Sequence, residues 1–395
     1  MQKKTVRDVD FKGKRVLMRA DFNVPLNEKG EITDDTRITA TLPTIQYILE
    51  RGGRLAMCSH LGRPKGAPDA KYSLKPVAKR LSELLGQEVK MLPDCVGDEV
   101  KKAVFGLNDG QACLLENVRF HAGETENDSE HSKKLAELGE IFVNDAFGSA
   151  HRAQCSVSGV TEFIGTSVAG FLMEKEIEFL VQAIENPDRP FLAIMGGAKI
   201  SGKIDVIQNL LSKVDGILIG GAMAYTLLKA KGIPVGKSLV EDDRIDTAKD
   251  VLKAVEQKGV KFLLPQDHLI APEVKEGASV QVTQGTEIPD GQCGVDIGPK
   301  TIAAYEKEIA AAKTIVWNGP MGVFEIPAFA KGTVAVAEAL AKSSAKTIIG
   351  GGDSVSAVNK AGVSDKITHI STGGGASLEL LEGKPLPGLV TLSDK

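Results

Sequence analysis

The sequence has no apolar run near the roughly 18 residues that a membrane-spanning helix needs. Its first residues, MQKKTVRD, lack the apolar core of a secretory signal. The five cysteines are odd in number and show no metal-type spacing, and such usage is typical of a reducing compartment. No HExxH, CxxC or Ser-His-Asp set is present, which disfavours zinc chemistry and covalent catalysis. We therefore expect a cytoplasmic protein without a catalytic thiol.

A strong net charge is also missing. The chain has 48 basic and 52 acidic residues, for a formal net charge of −4. General nucleic-acid binding needs a basic surface, so we expect neither nucleic acid nor membrane as a partner. The apolar fraction of 42% and the charged fraction of 25% are ordinary for a globular protein. A length of 395 residues is long for one hydrophobic core and predicts two or three domains.

Short apolar runs alternate with amphipathic stretches along the whole chain, a pattern that predicts parallel βαβ units in a doubly wound α/β fold. One helical stripe carries Leu74, Val77, Leu81 and Leu85. The predicted strands are Val16–Arg19, Leu55–Cys58, Ala112–Leu115, Ile141–Val143, Phe191–Met195, Gly216–Ile219, Lys261–Leu264, Thr314–Trp317, Thr347–Ile349 and Thr368–Ile370.

The middle of the chain predicts a domain boundary. Residues 171–185 have an amphipathic pattern, with Met173, Ile177, Leu180 and Ile184 on its apolar side. The segment 186–190 (NPDRP) then ends the pattern. This stretch is either an ordinary surface helix or a helix that joins two similar α/β halves.

In the first half, basic residues follow the ends of the predicted strands. The carboxyl ends of parallel strands meet along one crevice, where ligands bind. We expect the crevice to contain Arg19, His60, Arg63, Arg119, His151 and Arg152, with Arg37 nearby at a helix start. Arginine forks suit phosphate and carboxylate, so the predicted ligand is a small anion. Asp21 and Asn23 either accept from a ligand hydroxyl or form a turn, whereas His121 and His131 are expected in a solvated loop.

In the second half, glycine clusters follow the strands instead. The segment 196–203 (GGAKISGK) nearly matches a P-loop, but Ile204 stands where Ser or Thr is needed, so we reject that motif. Lys199 and Lys203 are expected on one face of the following helix, beside its N-terminus, as a phosphate site. After a further glycine run, Asp353 could bind Mg²⁺, and Ser354 could cap a helix or contact phosphate.

Together these segments resemble the phosphoglycerate kinase family. The motifs occur in the family's order through nearly the whole chain: RADFNVP at 19–25, DDTRI at 34–38, SHLGRP at 59–64, LLENVRFH at 114–121, FVNDAFGSAHR at 142–152, GGAKISGKI at 196–204, WNGPMGVFE at 317–325, GGGDS at 350–354 and STGGGASLELLEGKPLPG at 371–388.

The resemblance implies two Rossmann-like, doubly wound parallel-sheet lobes joined by a helix, with the C-terminal segment packing back on the N-lobe. The implied ranges are an N-terminal lobe at 1–170, a hinge helix at 171–187, a nucleotide lobe at 188–378 and a returning segment at 379–395. It also suggests a monomer.

The implied activity is reversible phosphoryl transfer between 1,3-bisphosphoglycerate and ADP, with Mg²⁺. By motif match, the residues implied for 3-phosphoglycerate are Asp21, Asn23, Arg37, His60, Arg63, Arg119 and Arg152. Those implied for the nucleotide are Lys199, Lys203, Gly294, Asn318, Glu325, Gly351, Gly352, Asp353 and Ser354, with Asp353 at the metal.

No general base is evident or needed, because the attacking atoms are phosphate and carboxylate oxygens. Catalysis is then expected to rest on lobe closure and on charge stabilisation by Arg37, Lys199, Mg²⁺ and helix N-terminal amides. Two other interpretations stay open. A nicotinamide dehydrogenase lacks its GxGxxG motif here. A non-catalytic anion- or nucleotide-binding protein would bind both ligands without turnover.

Overall fold

The computed structural model describes residues 2–395, which form two compact units. Unit 1 contains the described residues 2–178 together with Pro385–Lys395, and unit 2 contains Phe179–Lys384. The division lies inside the amphipathic segment of the middle of the chain. That segment is helical, but a π-helical turn at Ile177–Val181 separates two α-helical pieces. Its apolar stripe is buried, as the pattern predicts.

Unit 1 is built on a six-stranded parallel sheet in the order β3-β4-β2-β1-β5-β6. Its strands are β1 (Arg15–Arg19), β2 (Arg54–Cys58), β3 (Val89–Met91), β4 (Ala112–Leu114), β5 (Ile141–Asn144) and β6 (Ser167–Ala169). Its helices are α1 (Thr36–Glu50), α2 (Lys75–Leu85), α3 (Asp98–Phe105), α4 (Ala122–Glu126), α5 (Ser129–Ala136) and α6 (Phe171–Glu176).

Unit 2 has a second six-stranded parallel sheet, in the order β15-β14-β13-β7-β8-β9, and a three-stranded antiparallel sheet, β11-β10-β12. Its strands are β7 (Phe191–Met195), β8 (Gly216–Ile219), β9 (Lys261–Leu263), β10 (His268–Ala271), β11 (Gln281–Val282), β12 (Cys293–Ile297), β13 (Thr314–Asn318), β14 (Lys346–Ile349) and β15 (His369–Ile370).

The helices of unit 2 are α7 (Gln182–Glu185), α8 (Ile204–Leu210), α9 (Met223–Ala230), α10 (Ile245–Lys258), α11 (Pro299–Ala311), α12 (Lys331–Lys342), α13 (Gly352–Lys360) and α14 (Gly374–Leu381). The last helix of the chain, α15 (Pro387–Val390), belongs to unit 1. Short 3₁₀ helices lie at Val6–Asp8, Ala70–Tyr72, Val118–Phe120, Phe147–Ser149, Gly159–Glu162, Asp242–Arg244, Pro327–Phe329 and Ser364–Lys366.

The predicted α/β class is confirmed, and each of the ten predicted strands is present to within a few residues. Those strands are recognisable because a parallel sheet is covered on both faces and its strands are apolar throughout, as in Phe191–Met195, where every residue is buried. The sequence analysis missed β3 and β6, three-residue strands at the two edges of the first sheet. It also missed β10, β11 and β12, which pair in an antiparallel sheet without intervening helices.

The five cysteines are all buried and free, as expected for cysteines that fill space in a core. No helix in the described part of the chain is long and apolar enough to cross a membrane.

The C-terminal segment packs into unit 1. Leu386, Leu389 and Leu392 are at most 3% exposed. The ammonium of Lys3 donates to the carbonyl oxygens of Val390 and Leu392, at 3.0 and 2.7 Å, and pairs with a carboxylate oxygen of Asp394 at 2.8 Å. A buried ammonium with several oxygen partners fixes the position of this segment.

We predict that Leu392→Ala lowers the free energy of unfolding by about 2–5 kcal/mol, because it removes a buried side chain and leaves a cavity. The control is Val390→Ala in the same segment, whose side chain is 41% exposed and which should cost no more than about 0.5 kcal/mol. Denaturant unfolding followed by far-ultraviolet circular dichroism measures both. Equal effects of the two substitutions would contradict the burial of this segment.

Candidate functional site

The structure brings most of the predicted basic residues of unit 1 to one edge of its sheet. Strands β4, β2, β1 and β5 are adjacent and parallel, so their carboxyl ends lie side by side. Arg119 follows β4, His60 follows β2, Arg19 ends β1 and Arg152 follows β5. The charges of Arg19, Arg37, Arg119 and Arg152 all act on His60, which shows that these side chains form one cluster.

Arg19 corrects one expectation, because it does not face the crevice. Its side chain is fully buried and donates from Nε to Ser156 Oγ at 2.9 Å and from a terminal nitrogen to His60 Nδ1 at 3.0 Å. Its other terminal nitrogen donates to the carbonyl of Ala20. Ser156 in turn donates to the buried carboxylate of Glu124 at 2.6 Å. Arg19 is therefore an internal group that supports the crevice from below.

His60 is a neutral hydrogen-bond donor in this setting. Burial lowers its pKa well below the ordinary value, and the charges of Arg19, Arg119, Arg152 and Arg37 lower that pKa further. Because Arg19 donates to Nδ1, that nitrogen is the acceptor and the ring proton resides on Nε2. The imidazole can thus donate to an anion through Nε2 without adding a fifth positive charge to the cluster.

The loop after β2 positions two further predicted residues. Gly62, at φ +62°, accepts from a terminal nitrogen of Arg119 at 2.8 Å, and its N–H donates to the side-chain oxygen of Asn23 at 2.8 Å. Arg119 is 8% exposed, and its Nε has no hydrogen-bond partner within residues 2–395. Burial and the charges of Arg152 and Arg19 lower the pKa of Arg119 to about 10, so it stays charged at neutral pH.

The remaining predicted residues of unit 1 are more open. Arg37 lies in the first turn of α1 and forms an ion pair with Asp21. Arg152 is half-buried, and its Nε donates to His151 Nε2 at 3.2 Å. Arg63 is exposed just beyond Gly62. The crevice thus offers buried, oriented donors at its base and more exposed arginines at its rim.

Unit 2 contains a cleft of about 610 Å³ between its parallel and antiparallel sheets. Three predicted nucleotide residues line it: Gly294 on β12, Glu325 after β13, and Asp353 in the first turn of α13. The sequence analysis missed several of its other lining residues, among them Tyr225, Lys237, Leu239, Pro272 and Val274. No local motif marks these side chains, because helix α9 and the antiparallel sheet bring them together only in the folded unit.

Gly294 has a steric reason to be glycine. A Cβ at this position would lie 2.2 Å from the hydroxyl of Tyr225, a side chain that is itself 4% exposed. The N–H of Gly294 donates to Ser238 Oγ at 2.9 Å, which holds the strand in place beside the cleft. The space that a side chain at this position would take is therefore filled by Tyr225, and the two residues together line the cleft.

The two lysines differ from expectation. Helix α8 begins only at Ile204, so Lys199 lies in the preceding loop and Lys203 is the N-cap residue, and the two do not share a helical face. Lys199 is exposed. Lys203 is half-buried and donates to the side-chain oxygen of Asn318, whose side-chain nitrogen has no partner within the described residues. Burial lowers the pKa of Lys203 to about 8, against the opposite effect of Asp353 and Glu382.

Helix α13 presents its first turn to this region. Gly351 is its N-cap residue at φ +95°, and Gly352 and Asp353 are exposed. Ser354 is not a cap: it lies within the helix, is fully buried, and accepts from the N–H of Gly319 at 2.6 Å. In this structure Ser354 supports the turn after β13 rather than facing the cleft.

The two sites offer complementary chemistry. The crevice of unit 1 supplies arginines and a neutral imidazole for a small anion. The cleft of unit 2 combines apolar walls, glycine backbone and three carboxylates, with Lys203 nearby, as suits a larger ligand with a flat base and phosphates. Asp353 is an exposed oxygen ligand of the kind that Mg²⁺ takes together with substrate phosphates.

Comparison with protein families gives one match over most of the chain. The family model described as Phosphoglycerate kinase matches residues 6–384. Among curated proteins, the chain is 57% identical over 395 residues to the phosphoglycerate kinase of Clostridium tetani, covering 100% of this chain and 98% of that one. It is 57% identical over 397 residues to that of Chlorobium limicola, covering 100% of both.

Solved structures of phosphoglycerate kinases are also similar to this chain. The structure of phosphoglycerate kinase from Coxiella burnetii has a TM-score of 0.93 at 44% identity, and covers 98% of each chain. The enzyme of the same name from Pyrococcus horikoshii has a TM-score of 0.82 at 34% identity, again over 98% of each chain.

We predict that the His60 imidazole stays neutral as the pH falls through 6.5, because burial and four neighbouring guanidinium groups oppose its protonation. A folded-state pKa below the unfolded value means that this group's contribution to stability is present above 6.5 and is lost toward the folded-state pKa. NMR of ¹⁵N-histidine-labelled protein measures the titration, and His60→Gln assigns the signal. Titration of His60 at or above 6.5 would contradict the described cluster.

Proposed function

The chain belongs to the phosphoglycerate kinase family, whose members are phosphotransferases acting on ATP and 3-phosphoglycerate, and from this premise we propose that its two units divide the substrates between them. The crevice at the carboxyl edge of the unit 1 sheet binds 3-phosphoglycerate. The cleft of unit 2 binds the nucleotide.

One observation carries the first assignment: His60, Arg37, Arg119 and Arg152 converge at one sheet edge above the buried Arg19. A ligand with a phosphate and a carboxylate at its two ends would accept from several of these donors at once. Asp21 and Asn23 belong to the same loop cluster and suit the hydroxyl of the substrate. Arg63 is exposed at the rim, where it can reach a bound phosphate.

The nucleotide assignment is supported by the cleft lined by Gly294, Glu325 and Asp353. The adenine would pack against Gly294, where a side chain is excluded, and the ribose hydroxyls would donate to Glu325. Lys203, Asn318 and the N–H groups after Gly351 suit the phosphates. Lys199, Gly352 and Ser354 are assigned to the same site by the family motif, and Ser354 acts there through the turn at Gly319.

The donor set at Asp353 fits a magnesium ion, because a single exposed carboxylate together with phosphate oxygens is a usual Mg²⁺ arrangement. The ion would neutralise phosphate charge during transfer. The remaining steps depend on the chain's own residues. The exposed cations Arg37 and Lys199 are proposed to stabilise the transferring group, and no side chain has to remove a proton. That the units close during turnover stays a prediction from the sequence.

Arg37→Ala tests the acid site. We expect kcat/KM for 3-phosphoglycerate to fall by about 100- to 1000-fold, as for loss of one donor to the reacting group. The assay couples acyl-phosphate formation from 3-phosphoglycerate, ATP and Mg²⁺ to NADH oxidation by glyceraldehyde-3-phosphate dehydrogenase, with EDTA as the metal-free control.

The matched control is Arg80→Ala. Arg80 lies on α2 and, like Arg37, is partly exposed and paired with an aspartate, Asp35. Its loss should leave kcat/KM within about 2-fold, because an exposed ion pair contributes little. Similar losses in both variants would remove Arg37 from the reacting centre.

The pH dependence of ADP binding gives a second test, which concerns Lys203. Its pKa of about 8 means that it is mostly charged at pH 7 and mostly neutral above pH 9. A cation that binds phosphate loses that attraction on deprotonation, so the ADP dissociation constant should rise as the pH increases through 8, approaching about one log unit per pH unit. Calorimetric titration of ADP between pH 7 and 9.5 measures it.

Lys203→Arg is the control, because a guanidinium stays charged through this range. The variant should bind ADP with little pH dependence between 7 and 9.5. If the variant and the original protein show the same pH dependence, the titrating group is not Lys203.

A further inference from the structure

A second group of metal-binding side chains lies one strand outside the acid crevice. Asp94 and Cys95 follow β3, and His121 follows the 3₁₀ turn Val118–Phe120 after β4. One ligand atom of each residue lies within 4.8 Å of those of the other two. Neither the predicted substrate site nor the nucleotide cleft includes any of the three.

The three side chains are already held in place. Asp94 Oδ1 accepts from His121 Nε2 at 2.6 Å and from the backbone N–H of Cys95 at 2.6 Å. Cys95 is fully buried, whereas the side chains of Asp94 and His121 are 46% and 34% exposed. The carboxylate and the imidazole are thus reachable from solvent, whereas the thiol is buried behind them.

A buried histidine borders this group without belonging to it. His131, on α5, was expected in a solvated loop but is only 8% exposed. Its ring packs on that of His121 with centroids 4.9 Å apart, and its Nε2 has no hydrogen-bond partner within the described residues. A buried ring nitrogen without a partner normally costs stability, unless a ligand satisfies it.

We propose that Asp94, Cys95 and His121, bordered by His131, form a binding site for a thiophilic divalent cation of the Zn²⁺ class. Thiolate, imidazole and carboxylate are the ligands that Zn²⁺ takes in proteins. A thiolate disfavours Mg²⁺ and Ca²⁺, which prefer oxygen ligands. On binding, the thiol of Cys95 releases its proton to solvent and its sulfur bonds the metal. The hydrogen bond from His121 Nε2 to Asp94 breaks, because the ring proton must lie on Nδ1 for the Nε2 lone pair to bond the ion.

The location suggests what the ion would do. His121 is two residues after Arg119, which the crevice uses, and Glu124 of the adjoining α4 accepts from Ser156 beneath Arg19. A metal joining the loop after β3 to the start of α4 would therefore fix the backbone on which the acid-binding arginine depends. This part of the proposal rests on the proposed substrate site, whereas metal binding itself does not.

The test is a titration of the chelator-treated full chain with Zn²⁺ in competition with a chromophoric chelator. We expect one Zn²⁺ per chain and no competition by millimolar Mg²⁺. Cys95→Ser and His121→Gln should each weaken binding at least about 10-fold, because even groups behind a ligand change metal affinity by that much. Cys113→Ala is the control: it removes another buried cysteine, on β4, and should bind Zn²⁺ like the original protein.

Substitution with Co²⁺ identifies the ligands without relying on activity. The expected spectrum contains a near-ultraviolet sulfur-to-cobalt charge-transfer band that is absent in Cys95→Ser and present in Cys113→Ala. Circular dichroism establishes that each variant is folded, and His121→Gln, at a partly exposed side chain, gives a second route if Cys95→Ser does not fold. Absence of Zn²⁺ binding, or binding unchanged by both substitutions, would overturn the proposal. Failure of the kinase assay alone would not overturn it, because metal binding does not rest on the proposed substrate site.

Discussion

A guanidinium group buried at the end of a strand is the constraint on which the proposed acid site depends. Arg19 is fully buried, and an unpaired charge in that position would strongly destabilise the fold. The structure satisfies it with Ser156, with the Ala20 carbonyl and with the ring of His60. Behind Ser156, the carboxylate of Glu124 supplies the opposite charge.

The contacts of Arg19 also determine the state of the side chains in the crevice. Because Arg19 donates to Nδ1 of His60, the imidazole is oriented and neutral, with its donor on Nε2. Arg119 lies above it with one terminal nitrogen on Gly62 and an unpartnered Nε. Burial raises the pKa of Glu124, while Arg19 and Ser156 lower it, so each buried charge in this network stabilises the charged form of another. A crevice rich in positive charge is thus built on a paired interior.

The cleft of unit 2 is formed in a different way from the crevice of unit 1. It is shaped by backbone and by apolar side chains, and Gly294 lies against Tyr225 where no larger residue fits. Lys203 is half-buried with a pKa lowered to about 8, so its charge depends on a neighbouring anion. The contrast matches the proposed ligands, since a small, multiply charged anion is recognised by its charge and a nucleotide also by its flat base.

Much of this could be predicted from the sequence. Apolar strands of a parallel sheet are visible as continuous runs, and parallel topology places the residues that follow them at one edge, so the cluster of Arg119, His60 and Arg152 was accessible to pattern reasoning. A shared helical face for Lys199 and Lys203 was predicted wrongly, because the chain makes a turn through Lys203 and the helix begins only at Ile204. Which polar side chains are buried was harder to predict from the sequence.

Three cases show why burial could not be inferred. Arg19 resembles a ligand-binding arginine by position, but its orientation depends on Ser156 and Glu124, more than 100 residues away. His131 has polar neighbours in sequence and is covered only when α5 packs. Cys95 and His121 are separated by 25 residues without a metal-type spacing, and they meet only because β3 and β4 are neighbours in the sheet.

The most direct test of the account is a crystal structure of the protein with 3-phosphoglycerate bound. We predict that the ligand accepts from Arg37, Arg119, Arg152 and the Nε2 of His60, while Arg19 keeps its hydrogen bonds to Ser156 and to Nδ1 of His60. A structure in which Arg19 leaves Ser156 to bind the ligand, or in which the acid binds away from this sheet edge, would contradict the central claim.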